Sequence, residues 1–201
     1  MELLTSAGFD ALGIGSMEEP GFLREAGIEL PMYFDQGMYS WNHLAGAAME
    51  RYGADRLTIP VELNEREIRD SGVQGEMIVY GYLPMMISAQ CIRKTTLGCS
   101  GKSEIMWLKD RKDMRFPVVN QCRFCYNTIY NSAPLSLLGL SEQVTGLKPN
   151  AVRLNFTVEE PAAAGEILDA FFEEYGMSEK AAEPPVLRNQ FTRGHFKRGV
   201  E

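Results

Sequence analysis

The chain has 201 residues, 45% apolar and 23% charged, which is ordinary for a soluble globular protein and long enough to bury a full core. Its 20 basic and 27 acidic side chains leave a net charge of −7, a balance that over the whole chain argues against nucleic acid as a partner. Residues 1–10 carry no basic stretch leading into an apolar one, and no apolar run approaches the roughly 20 residues that span a bilayer. The expected compartment is therefore cytoplasmic, with no membrane partner.

Short β-prone apolar runs recur at Ala11–Gly15, Pro31–Asp35, Arg56–Pro60 and Glu76–Tyr80, at intervals of 20 to 25 residues. The stretches between them read as helices: Glu18–Ala26 led by Ser16, Trp41–Tyr52 led by Ser40, and Leu63–Asp70 beginning beside Asn64. Each has helix formers and a glycine or turn near its end. Strands alternating with helices at this period predict parallel β-α units. Continuous apolar strands such as Met77-Ile78-Val79-Tyr80 suit a sheet covered on both faces.

Beyond Gly81 the pattern breaks. Glu104–Lys109 and Met114–Val119 flank the polar turn Asp110-Arg111-Lys112-Asp113, which predicts a β-hairpin. A helix around Leu135–Val144, a strand at Ala151–Phe156 and a helix from Glu160 to Tyr175 then restore the β-α pattern, and Ala181–Pro185 reads as a linker to a short basic tail. Met85-Met86-Ile87 and the aromatics Phe171, Phe172 and Tyr175 read as core. The expected organisation is β-α units over 1–90, a cysteine-rich insertion over 91–131, a closing β-α unit over 132–180, and linker and tail over 181–201.

The fold class is α/β. Five strands of this type are too few to close an eight-stranded (β/α) barrel, which takes about 250 residues, so the expectation is a partial TIM-type barrel. Residues 1–7 read as the end of a helix feeding the first strand, which predicts that earlier β-α units are missing or are replaced by a partner subunit.

All four cysteines, Cys91, Cys99, Cys122 and Cys125, fall within 35 residues. In a reducing compartment such a group points to a metal centre rather than to disulfides. A Cys-x2-Cys pair lets two thiolates bind one centre from a tight turn, as in tetrahedral zinc sites and iron–sulfur clusters. Zinc ribbons usually pair two such knuckles, whereas here seven residues separate Cys91 from Cys99, so the spacing leans toward a cluster and leaves zinc as the alternative.

The same segment reverses the sign of the chain. From Cys91 to Cys125 eight cations (Arg93, Lys94, Lys102, Lys109, Arg111, Lys112, Arg115 and Arg123) face Glu104, Asp110 and Asp113, a local balance of +5. Arg188, Arg193, Lys197 and Arg198 add cations in the tail. If insertion and tail meet, they form a basic face suited to a phosphate-rich ligand such as RNA.

The strings Val79-Tyr80-Gly81-Tyr82-Leu83-Pro84, Ser88-Ala89-Gln90-Cys91, Asn120-Gln121-Cys122-Arg123-Phe124-Cys125-Tyr126-Asn127 and the ending from Phe191 to Glu201 together resemble the carboxy-terminal portion of the collagenase-like peptidase family, peptidase family U-thirty-two. The resemblance covers essentially the whole chain. It implies a TIM-type barrel preceded by further β-α units. It also implies a four-iron cluster held by four cysteines, as in members that support oxygen-independent hydroxylation of RNA bases or quinone precursors. Cys91, Cys122 and Cys125 fall on ligand positions. Many relatives have His-Gly-Ala-Met-Cys where this chain has Tyr80-Gly81-Tyr82-Leu83-Pro84, so Cys99 has to replace a missing cysteine, and Tyr80 stands in place of the histidine.

The family label also implies a peptidase of unassigned catalytic type. The chain has no His-Glu-x-x-His helix and no Gly-x-Ser-x-Gly elbow. Its two histidines are His43, in an expected helix, and His195, in the tail, and a cysteine nucleophile would need a thiol spared from the metal and paired with one of them. The reading is therefore an iron–sulfur enzyme hydroxylating RNA or a related substrate. A peptidase and a zinc-stabilised RNA-binding module without catalysis are the alternatives. In β-α barrels the active site lies at strand carboxyl ends, where Asp35 and Gln36, Glu62 and Asn64, and Tyr80 and Tyr82 fall. Glu62, Tyr80 and Tyr82 are the catalytic candidates. Asp35, Asn64, Arg93, Arg111, Lys112, Arg123 and His195 are the substrate-binding ones.

Overall fold

A computed structural model of the chain describes residues 6–176 and 191–199. The chain divides into two compact units, both discontinuous in sequence: unit 1 comprises 1–78, 140–153 and 193–201, and unit 2 comprises 79–139 and 154–192.

Unit 1 begins with the parallel strands β1 (Leu12–Ile14), β2 (Met32–Phe34) and β3 (Arg56–Leu57), hydrogen-bonded in chain order. Ile14, Phe34 and Leu57 lie side by side in that register. They are 1%, 1% and 3% exposed, so the end of each short strand contributes one side chain to a common apolar row. A parallel bridge from Thr58 to Glu76 carries the series to β4 (Glu76–Gly81). Three helices follow the strands: α1 (Glu19–Glu25), α2 (His43–Tyr52) and α3 (Glu65–Ser71). Leu23 of α1 and Met49 of α2 complete the same core with Ile28, Met38 and Val73.

The helix starts follow local chemistry, though not always at the expected residue. For α2 the cap is Asn42, whose Oδ1 accepts the Ala45 amide at 3.0 Å. Ser40 is instead buried, donating to the Thr58 carbonyl at 3.1 Å. For α1 Ser16 is no cap; Glu19 reaches back to accept the Gly15 and Ser16 amides. Asn64 caps α3 as expected, in a reciprocal box with Glu67, an arrangement that contributes about 1 kcal/mol.

In unit 2 the end of β4 pairs antiparallel with β9 (Leu135–Ser136). A second sheet has the order β5-β8-β7-β6, antiparallel throughout, from β5 (Pro84–Ser88), β6 (Ile105–Lys109), β7 (Arg115–Gln121) and β8 (Tyr126–Tyr130). Helix α4 (Ile92–Leu97) links β5 to β6. The β6–β7 hairpin is the expected one. Asp110 Oδ1 accepts the amides of Lys112 and Met114, and Asp113 takes a left-handed conformation, φ 64°. Strand β10 (Ala151–Asn155) lies beside β4, and α6 (Pro161–Glu174) buries Ile167, Ala170 and Phe171.

Two expectations need correction. The helix expected around Leu135–Val144 is β9 followed by the short helix α5 (Ser141–Gly146), because Leu135 and Ser136 pair with Gly81 and Tyr80. Met85, Met86 and Ile87 are not core: they are 63%, 59% and 70% exposed on an edge strand, and Phe172 is exposed too. The architecture is mixed α/β, and no closed barrel is formed among the described residues. The expected linker Ala181–Pro185 lies outside the described residues, and no described helix is long and apolar enough to cross a membrane.

Candidate functional site

The four cysteines gather at one end of the β5-β8-β7-β6 sheet, in unit 2. Strands β7 and β8 pair up to Gln121 and Tyr126, so Cys122-Arg123-Phe124-Cys125 is the whole of their connecting loop. The Phe124 amide closes that loop on the Gln121 carbonyl at 3.0 Å, and Cys125 is left-handed, φ 56°. At the same end β5 pairs Ser88 with Asn127, and the chain then reaches Cys91, which caps α4. The Cys91 sulfur accepts the Lys94 amide at 3.4 Å. Cys99 lies on the return from α4 to β6.

Two buried asparagines hold these loops together. Asn120 and Asn127 are cross-strand partners, 1% and 0% exposed. Asn127 Nδ2 donates to the Gln90 carbonyl at 2.7 Å, tying the residue before Cys91 to the strand after Cys125. Asn120 Oδ1 accepts the Glu104 amide at 2.6 Å, and the Cys122 amide donates to Ser103 Oγ at 3.2 Å. Arg93 of α4 pairs with Glu104 at 2.7 Å, and this hydrogen bond, with a second from Ser100, holds the Glu104 carboxyl below its usual range.

Cys122 is the centre of the group. Burial pushes its thiol up, and the nearby Cys99, Cys125 and Cys91 add to the shift, as does a hydrogen bond with Cys99. The sulfurs are within electrostatic reach of one another without being closed on a point. Among the described residues, no three His, Cys, Asp or Glu side chains are drawn tightly enough to hold a metal ion. The donor set, four thiols on a hairpin turn and its two flanking loops, fits an iron–sulfur cluster or tetrahedral zinc in chemistry.

The sheet is basic at both ends. Lys94 and Lys102, in α4 and its return loop beside the cysteines, and Arg111, Lys112 and Arg115, at the β6–β7 hairpin on the opposite end of the sheet, are exposed and make no ion pair among the described residues. Arg123 lies over the Phe124 ring, 5.3 Å from its centroid, and Phe124 stacks toward Tyr126. Phe124 is 67% exposed and Trp107 56%. Trp107 shares a strand face with Lys109 by the two-residue period, and Lys109 lies opposite Arg115. Neither aromatic was signalled by charge counting.

Tyr80 and Tyr82 come together around a residue that the sequence did not suggest, Glu159. Tyr80 is 3% exposed. Burial first, then Glu159 and Tyr82, push its hydroxyl well above the ordinary tyrosine range. Tyr82 and Tyr130 are shifted upward by burial and by Glu159 as well. Glu159 Oε2 accepts the amides of Thr157 and Val158 at 2.6 and 3.0 Å. A carboxylate ringed by tyrosines that stay protonated can accept protons or orient a donor, while the tyrosines act only as hydrogen-bond donors near neutral pH.

The remaining candidates lie in unit 1. Asp35 follows β2 and accepts from Arg153 Nη2 at 2.6 Å, and Nη1 of the same guanidinium reaches Glu76 at 3.2 Å. Glu62 is half-buried in the turn before α3, and Asn64 is spent on its cap. His195 Nδ1 bonds the Gly199 carbonyl at 2.8 Å, closing the tail turn. Both histidines belong to unit 1, and all four cysteines to unit 2. In comparisons with family models, curated proteins and solved structures, the chain matches none of them.

Proposed function

We propose that the chain is an enzyme similar to peptidase family U-thirty-two that modifies, by hydroxylation, RNA or a related substrate with the help of a four-iron cluster, on a partial (β/α) barrel. The observation that carries this reading is the gathering of Cys91, Cys99, Cys122 and Cys125 at one end of a sheet that carries unpaired cations at both of its ends and exposes Trp107 and Phe124. A bound cluster would supply electron transfer there. Arg93, Arg111, Lys112 and Arg123 would neutralise phosphates, and Trp107 and Phe124 would offer faces on which unpaired bases stack. Tyr80 and Tyr82, backed by Glu159, would donate hydrogen bonds to the reacting group. The hairpin-turn position of Cys122 and Cys125 favours, as a second reading, a zinc-stabilised RNA-binding module.

Fluorescence anisotropy with a structured RNA tests the partner. Binding should weaken steeply as salt rises, because each neutralised phosphate releases counterions. Reversing Arg111 and Lys112 to Glu should weaken binding at least tenfold and flatten the salt slope, whereas Arg51→Glu, on α2, should change little. Equal losses from both, or no binding at low salt, would remove RNA and leave the quinone and peptide readings.

A further inference from the structure

We propose that the face of the β5-β8-β7-β6 sheet that carries Trp107 binds a short single-stranded stretch of RNA, with unpaired bases stacked on Trp107 and on Phe124. The inference rests on the RNA reading above and narrows it from RNA in general to unpaired RNA on one face of the sheet.

Strand pairing fixes which side chains share that face. Directly opposed residues of an antiparallel pair project to the same side, so Trp107 lies beside Pro117, Lys109 beside Arg115, and Gln121 beside Tyr126. The two-residue period joins Arg115, Pro117 and Gln121 along β7, which places all six on one face. Phe124 stacks toward Tyr126, with ring centroids 6.4 Å apart. On β6 this is the solvent side: Ile105, Trp107 and Lys109 are exposed, whereas Met106 and Leu108 are half-buried. Trp107 and Tyr126 stand two strands apart, about 10 Å, and four residues apart along β7, about 13 Å. A four-stranded sheet with exposed aromatics can stack two or three unpaired bases, a number that fits this span.

Cations stand at both ends of the face. Arg111, Lys112 and Arg115, at the β6–β7 hairpin, make no ion pair among the described residues, and Arg123, at the cysteine end, lies over the Phe124 ring. From Cys91 to Tyr130 eight cations stand against three carboxylates. Those carboxylates are occupied: Glu104 by Arg93, Asp113 by Lys109, and Asp110 by two turn amides. Glu159, which acts on Tyr130 from outside the sheet, makes the count eight against four, still +4 in a chain of net −7. A strand of phosphates is the polyanion that complements such a face. An acidic peptide satisfies the cations without a ring at every unit to stack on Trp107 and Phe124, which are 56% and 67% exposed. In a duplex the base faces are already stacked on one another, so only unpaired bases can use these rings. Phe124 lies between Cys122 and Cys125, so the base it holds is the one presented to the cysteines.

Fluorescence anisotropy of the full chain with a short fluorescein-labelled RNA lacking self-complementarity, alone and annealed to its complement, tests this. The single strand is expected to bind at least tenfold tighter than the duplex. Trp107→Ala and Phe124→Ala should each weaken single-strand binding at least about fivefold, the low end of what one base–aromatic stack contributes, and Trp107→Phe should restore most of it. Both side chains are exposed, so these variants should melt as the parent does. The chain has two tryptophans, Trp41 and Trp107; in a Trp41→Phe background the single strand should quench the remaining emission and the duplex should not. RNA binding that is indifferent to strandedness, or unchanged in both alanine variants, overturns the inference and leaves structured RNA as the partner. No binding of either RNA at low salt removes RNA itself.

Discussion

Protein isolated without oxygen is expected to be brown and to contain about four iron and four acid-labile sulfide per chain, and Cys122→Ser to be colourless. Cys122 lies within electrostatic reach of the other three thiols. It sits on a four-residue loop whose ends are locked by strand pairing. Cys99→Ser should also lose most of its iron, because Cys99 lies close enough to Cys122 to push its thiol up, although its exposed loop would make it the easiest ligand to replace. A Cys99→Ser variant with a full complement of iron and sulfide would mean that the fourth ligand lies elsewhere. Colourless wild-type protein with one zinc would decide for the zinc module, and metal analysis alone separates the two.

Gly81→Ala should destabilise unit 2 severely, by on the order of 3–5 kcal/mol. Gly81 ends β4 at φ +150°, a conformation that side chains rarely adopt, and an added Cβ would stand 2.5 Å from the Asn155 carbonyl oxygen. Both are backbone positions, so no side chain can rotate away. Gly101→Ala is the control: its φ is +69° and a Cβ would meet nothing within 4 Å, so only the left-handed backbone cost of about 1 kcal/mol remains. Urea denaturation of the two variants measures the difference. Similar midpoints would show that β4 and β10 part easily at this point.

The strands of unit 1 were legible because each is a compact apolar run bounded by glycine, proline or a polar residue, and their parallel order followed from the interval between them. Strand β5 was misread because Met85-Met86-Ile87 is apolar in composition yet lies on a sheet edge, and edge position is a property of the assembled sheet. Strand β8, Tyr126–Tyr130, contains Asn127 and Thr128, and buried asparagine in a strand runs against β-propensity. That oddity was itself a signal, since Asn120 and Asn127 are the pair that ties the cysteine loops. Helix α4 has the sequence Ile-Arg-Lys-Thr-Thr-Leu, with no apolar face to betray it. Glu159 lies far along the chain from Tyr80, and only folding brings them together. Arg66 and Lys197 are far apart in sequence, and only folding brings them to one hollow.

The two units interleave along the chain: unit 1 needs residues 193–201 to be complete, whereas the four-stranded sheet of unit 2 is built from one uninterrupted stretch, residues 84–130. Local pairings close short loops and form early, and distant ones wait for the chain entropy to be overcome. During synthesis the cysteine-bearing sheet can therefore assemble while the amino-terminal parallel strands still lack their last segment. Pulsed hydrogen exchange during refolding should find β6–β8 protected before β1–β3. A metal could then be captured before the tail that closes unit 1 has left the ribosome.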